Sequence, residues 1–207
     1  MQATVHWQNP DLIKIKPDEH KPLIEVVNSL FSRRPFAVEF LVGYTSLGGF
    51  RMIEDAVRAH VSGNNFFSII TGLDYGAKHE QVFRALAKFG SEFPDKVKAR
   101  IFKHANNPSS TFHPKIFTFR YKAGTTVLFG SSNLTKGGLA ENHEVLTELK
   151  FGLERGDMRD LKEFERMWQY YWDKSAPIST GNNSRRNDAG RQLPHHRNGG
   201  KNGGAFR

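Results

Sequence analysis

The chain has 207 residues, with thirty Lys and Arg against twenty-one Asp and Glu, a formal net charge of +9 and a pI near 9.8. That length suits one domain with a tail, and the positive balance favours a polyanionic partner, either nucleic acid or an anionic membrane surface. The absence of cysteine excludes disulfides and thiolate metal sites, so any structural zinc would need histidines and carboxylates alone.

The opening MQATVHWQNPDLIKIKPDEHKPL lacks both the basic head and the apolar run of an export signal, and no later segment approaches membrane-spanning length. A soluble, cytoplasmic protein without a membrane partner is therefore expected. Residues 1–19 are polar and broken by Pro10 and Pro17, which reads as an arm or an early edge strand. Leu23, Val26, Val27, Leu30 and Phe31 then recur at helical spacing, and Arg33-Arg34-Pro35 stops that helix before the apolar strand FAVEFLVGY.

Leu47, Phe50, Ile53 and Val57 share one face of a second helix that ends at Gly63. FFSIITG is β-branched and aromatic, hence a strand. LDYGAK reads as a turn into a third helix with Val82, Phe83, Leu86 and Phe89 inward, and VKARIFKH alternates as a further strand. This alternation predicts a largely parallel sheet covered by helices on both faces.

The second half changes character. KIFTFRY and TTVLFGS are separated only by the KAG region and should pair as a hairpin, EVLTELKF supplies another strand, and a last helix from about Asp157 to Trp172 carries Leu161, Phe164, Trp168 and Tyr171 as its apolar stripe. The predicted class is thus α/β with a mixed, largely parallel central sheet. After Asp173 the chain turns to Gly, Asn, Arg and Ser. Residues 20–173 are therefore expected to form the working domain, and residues 174–207 a flexible basic tail.

The chemistry concentrates in HPKIFTFRYKAGTTVLFGSSNLTKGGLAENHEV, residues 113–145. Alternate residues of a strand face the same way, so His113 and Lys115 project together, and Pro114 suits a strand start, where side chains stay accessible. Gly130 permits a tight turn after TTVLF, and Ser131, Ser132 and Asn133 then offer hydroxyl, amide and main-chain donors to an anion. Gly137-Gly138 marks another bend, and Glu144 opens the next strand. If the hairpin pairs as expected, His113, Lys115, Asn133 and Glu144 meet at one end of the sheet.

HPK followed by GSSN, GGL and NHE resembles the signature of the phospholipase D superfamily, in particular its nuclease and restriction endonuclease branch. The fuller family motif carries an aspartate five positions after the lysine, where this chain has Arg120; in restriction endonuclease-like members a later glutamate, resembled by Glu144, stands in for it. The resemblance implies metal-independent cleavage of DNA phosphodiesters through a covalent phosphohistidine, with no cofactor. His113 would attack, Lys115 and Asn133 would stabilise the phosphoryl oxygens, a carboxylate would fix the imidazole tautomer, and Ser131 would touch the phosphate. A second histidine must protonate the leaving oxygen. The chain holds a single His-x-Lys, so a homodimer with one shared active site is expected.

Plainer readings stand beside these. Ser131 and Ser132 are ordinary turn formers, and Asn142 could simply cap the following strand. His60, His79, His104 and His143 fit no ligand spacing on one helix face. Arg33-Arg34, together with Lys96, Lys98, Arg100 and Lys103, could be phosphate contacts or solvated faces. The aromatic set Trp168, Tyr170, Tyr171 and Trp172 has the spacing of a buried or dimer-forming helix stripe. Two rival functions share the same residues: a phospholipase or small-substrate phosphodiesterase, and a non-catalytic nucleic-acid-binding module.

Overall fold

The computed structural model describes residues 1–16, 18–73, 79–103 and 111–179. Asp74–Lys78 of the LDYGAK turn, His104, and the tail beyond residue 179 lie outside these described residues. An eight-stranded sheet runs in the order β1-β7-β6-β5-β2-β3-β4-β8. Its strands are β1 (Gln2–Gln8), β2 (Ala37–Val42), β3 (Phe66–Gly72), β4 (Val97–Phe102), β5 (Lys115–Tyr121), β6 (Gly124–Gly130), β7 (Glu144–Phe151) and β8 (Ser175–Pro177). The helices are α1 (Pro10–Ile15), α2 (Leu23–Ser32), α3 (Leu47–Ser62), α4 (His79–Glu92) and α5 (Arg155–Lys174).

The sheet is mixed, with a smaller parallel share than the alternation of the first half implied. Only β2, β3 and β4 run parallel; every other neighbouring pair is antiparallel. The cause is connection length. Helical crossovers return β2, β3 and β4 in one sense, whereas Lys122-Ala123 turns β5 straight into β6 and can only give an antiparallel partner. Ordered structure also continues past the boundary expected at residue 174, because Ser175–Pro177 pair with β4. The opening residues are an edge strand, with β1 aligned on β7 so that Gln8 lies opposite Glu144.

Alternation along the strands divides the core. Val38, Phe40 and Val42 of β2, Phe117 and Phe119 of β5, and Leu146 of β7 point to the face covered by α2, α3 and α4. Leu41, Ile70 and Ile116 point to the other face, against Met167, Trp168, Tyr171 and Trp172 of α5. The expected helical faces are the buried ones, as with Leu23, Val27, Leu30 and Phe31 on α2. Gln8 ties three elements together. Its Oε1 accepts from Leu23 N at the start of α2 (2.8 Å), and its Nε2 donates to Asn142 O (2.7 Å). Among the described residues no helix is long and apolar enough to cross a membrane.

Candidate active site

Strand directions decide where the polar residues gather. β2 ends at Val42, which is paired with Lys115, the first residue of β5; β6 ends at Gly130, paired with Leu146 near the start of β7. The ends of β2 and β6 and the starts of β5 and β7 therefore share one rim of the sheet. His113 lies in the extended segment entering β5 and is exposed. Glycine makes room for that segment: a Cβ on Gly43 would stand 2.8 Å from Phe112 O and 2.9 Å from His113 Cα, closer than real Cβ contacts. Gly43 N also donates to Pro114 O (2.6 Å).

Lys115 faces the α2–α4 side of the sheet, and only 6% of its surface is exposed. Its Nζ donates to the main-chain oxygen of His113 (3.0 Å), and among the described residues it has no ion-pair partner. Burial lowers its pKa below the ordinary lysine value, while Glu144 nearby acts in the opposite direction. An ammonium kept dry without a paired carboxylate is costly to the fold. It keeps donors available to an incoming anion.

Asn133 is oriented through its amide. Its Oδ1 accepts from the backbone N–H of Tyr44 (3.2 Å); since only the oxygen of a carboxamide accepts, the donor Nδ2 is left for another partner. The loop is placed by a parallel bridge between Thr45 and Leu134 and by Ser46 N donating to Leu134 O (3.0 Å). Ser132 is fully buried and staples this turn, donating to Gly138 O (2.8 Å). Gly137–Glu141 forms a single π-helical turn where a tight bend was expected.

Glu144 accepts a hydrogen bond from Ser131 Oγ and one from Asn142 Nδ2 (3.3 Å). Ser131 Oγ in turn accepts from Val145 N (3.1 Å). The carboxylate is thus engaged with Ser131 and Asn142, and its bonds do not include the imidazole of His113. The structure gathers His113, Lys115, Ser131, Asn133 and Glu144 on the rim. Arg120 is excluded from it: five residues along β5 from Lys115, it turns to the opposite face and pairs with Glu39 (2.9 Å) and Glu165 of α5 (3.0 Å). Among the described residues no three His, Asp or Glu side chains gather to hold a metal ion.

Residues that sequence reasoning did not single out complete the rim. Tyr44 supplies the N–H that fixes Asn133, and Phe112 anchors the segment before His113. Tyr44 follows Gly43 directly after a buried strand, which marks a bend, but its partner is 89 positions away and has no local signal.

A sheet of this topology with a His-x-Lys at one strand start and a Gly-Ser-x-Asn turn at the neighbouring strand end defines the phospholipase D superfamily. Residues 20–168 match the family described as "Cardiolipin synthase, PLD-like domain", and the chain belongs to that family. Among solved structures it is similar to NucT from Helicobacter pylori (TM-score 0.59, 15% identity, covering 85% of this chain and 98% of that one). It is equally similar to the phospholipase D family member Nuc from Salmonella typhimurium (TM-score 0.59, 16% identity, 86% and 99%). Phosphatidylserine synthase from Haemophilus influenzae Rd KW20 shares the fold at a TM-score of 0.61 and 12% identity, covering 85% of this chain but 40% of that one. No curated protein matches the chain in sequence.

Proposed function

We propose that the protein is a metal-independent, restriction endonuclease-like phosphodiesterase that cleaves DNA through a covalent phosphohistidine on His113, acting as a homodimer with one shared site. The observation that carries this reading is the buried, unpaired ammonium of Lys115 beside the exposed His113, with the Asn133 amide and Glu144 on the same rim. Such a set is organised to hold an anion next to a nucleophile. Likeness in fold to NucT and Nuc and the positive charge balance, much of it carried by the basic tail, favour DNA over a lipid phosphodiester.

In the proposed reaction the imidazole of His113 attacks phosphorus. A P–N bond forms as the P–O bond to the departing nucleoside oxygen breaks, and His113 of the partner subunit gives that oxygen its proton. The same partner histidine then takes a proton from water, whose oxygen displaces His113 and frees the phosphate. Lys115 and Asn133 stabilise the charge on the non-bridging oxygens, each donor contributing about 3 kcal/mol, or roughly 10²-fold in rate. Glu144, engaged by Ser131 within its own subunit, is available at the rim to the imidazolium that forms on proton transfer.

The test is DNA cleavage in EDTA by the wild type and by His113→Ala, with solution mass measured at the assay concentration. Cleavage by a dimer that is lost in His113→Ala and leaves a trapped phosphohistidine is the expected result. A need for divalent metal, or survival of activity in His113→Ala, refutes the mechanism. An active monomer refutes the shared site and moves the proton donor to His143, exposed beside Glu144. Turnover of phospholipid without DNA would shift the substrate class, and tight DNA binding with no adduct would leave a binding module.

A further inference from the structure

The segment that presents His113 is held from the opposite side of the sheet by three aromatic rings. Phe112 stacks on Phe102 at the end of β4 (centroids 4.7 Å apart, planes at 28°) and meets the edge of Tyr171 of α5 at 5.1 Å. Tyr171 also meets Phe102 at 5.2 Å, so the rings form a closed triangle. Gly72 leaves the space Phe112 needs, since a Cβ there would lie 2.9 Å from its Cδ1. Neighbouring residues in an extended chain point to opposite faces, so a ring clamped on the α5 side directs the next side chain, His113, away from α5 and toward the face of Lys115.

The register of α5 is itself fixed close by. The Arg100 guanidinium lies 4.7 Å from the Trp172 ring, and its Nε donates to Ser175 Oγ (2.8 Å). Ser175 Oγ donates to Trp172 O (2.9 Å), and Ser175 opens β8, which pairs with β4. The last turn of α5 is thereby locked to β4, and Tyr171 within that turn is brought against Phe112. A contiguous path of packed groups runs from the outer strand to the segment bearing His113.

We infer that Tyr171, together with Phe112, is a positioning residue for His113: the triangle of rings fixes the backbone from which the imidazole reaches phosphorus. This rests on His113 being the attacking group. Rate depends steeply on such placement, since a misplacement of about 1 Å can cost on the order of 10²-fold. The phenol hydroxyl has no part in the argument, so phenylalanine serves equally well at this position.

The experiment compares Tyr171→Ala, Tyr171→Phe and Trp168→Ala. Trp168 belongs to the same apolar cluster but has Trp172 as its ring partner (5.8 Å), so its loss destabilises without releasing Phe112. Tyr171→Ala is expected to lower kcat by on the order of 10- to 100-fold with KM nearly unchanged. Tyr171→Phe should restore wild-type kcat, and Trp168→Ala should lower Tm while keeping kcat. An NMR order parameter for the His113 backbone, expected near 0.85 in the wild type and about 0.6 in Tyr171→Ala, gives a readout independent of turnover. Equal loss of kcat in Trp168→Ala, wild-type kcat in Tyr171→Ala, a change in KM alone, or an unchanged order parameter would each overturn the inference. If the wild type cleaves no phosphodiester, the proposed function fails, and the order parameter still decides whether the rings hold His113.

Discussion

Replacing Lys115 with methionine separates a residue kept for chemistry from one kept for stability. The side chain is almost wholly buried at the start of β5, donates one hydrogen bond to His113 O, and has no carboxylate paired with it among the described residues. Methionine fills nearly the same volume without a charge to desolvate, so the fold should gain about 1 kcal/mol. For a chain of this size that corresponds to a rise in Tm of roughly 2–4 °C. On the proposed mechanism DNA cleavage should fall about 10²- to 10³-fold, because a donor to the developing phosphoryl charge would be gone.

The pH dependence adds a check with a defined sign. Burial places the folded-state pKa of Lys115 below its unfolded value. Between the two the unfolded chain still holds a proton that the folded chain has released, so wild-type stability rises with pH across that window. The advantage of Lys115→Met should therefore be full at neutral pH and shrink on the alkaline side. Thermal or urea unfolding of both proteins at a series of pH values measures it. If Lys115→Met is less stable than the wild type at neutral pH, the lysine is a structural element and the reasoning fails.

Other changes probe the surrounding architecture. Arg120→Asp, which restores the acid of the fuller family motif, should cost about 3 kcal/mol by leaving Glu39 and Glu165 facing a third carboxylate, with kcat per folded molecule unchanged; loss of kcat beyond the unfolded fraction would bring Arg120 into the catalytic account. Gly43→Ala should lower kcat more than tenfold for a stability loss of about 1–3 kcal/mol, since its Cβ must displace the backbone at Phe112 and His113; parallel activity and unfolding measurements decide it. Glu148 is buried, and although burial alone would raise its pKa, the hydrogen bond from His6 and the Lys150 charge hold it below the ordinary carboxylate value. Its stabilisation is present above the unfolded pKa and lost as pH falls through the folded one. Glu148→Gln should therefore cost about 1–2 kcal/mol near neutral pH, given its half-exposed cationic partners, and nothing in strong acid, as followed by unfolding across the acid limb.

Much of this was legible because it was periodic. The 3.6-residue recurrence of Leu23, Val27 and Leu30, the apolar runs of β2 and β3, and the brief Lys122-Ala123 connection are local patterns, and each gave the right element. The convergence of His113, Lys115 and Glu144 followed from them once strand directions were assigned. What stayed hidden depends on partners remote in sequence. β8 is three residues long and is a strand only because β4 offers a free edge; Gln8 is an ordinary glutamine until its hydrogen bonds with Leu23 and Asn142 join β1, α2 and the loop before β7. The π-helical turn at Gly137–Glu141 likewise has no pattern of its own, and Tyr171 read as one member of an apolar stripe until its contact with Phe112 was seen.

The outermost strand imposes a choice on assembly. Three strand spacings separate β1 from β5 in the sheet order, about 14 Å. Two chains that annealed edge to edge through β1 would hold their imidazoles roughly 34 Å apart, much too far to embrace one phosphorus atom. Under the proposed shared site such a pair would be idle as a catalyst, so a working couple would have to meet crown to crown, with the flank of β1 outside the contact.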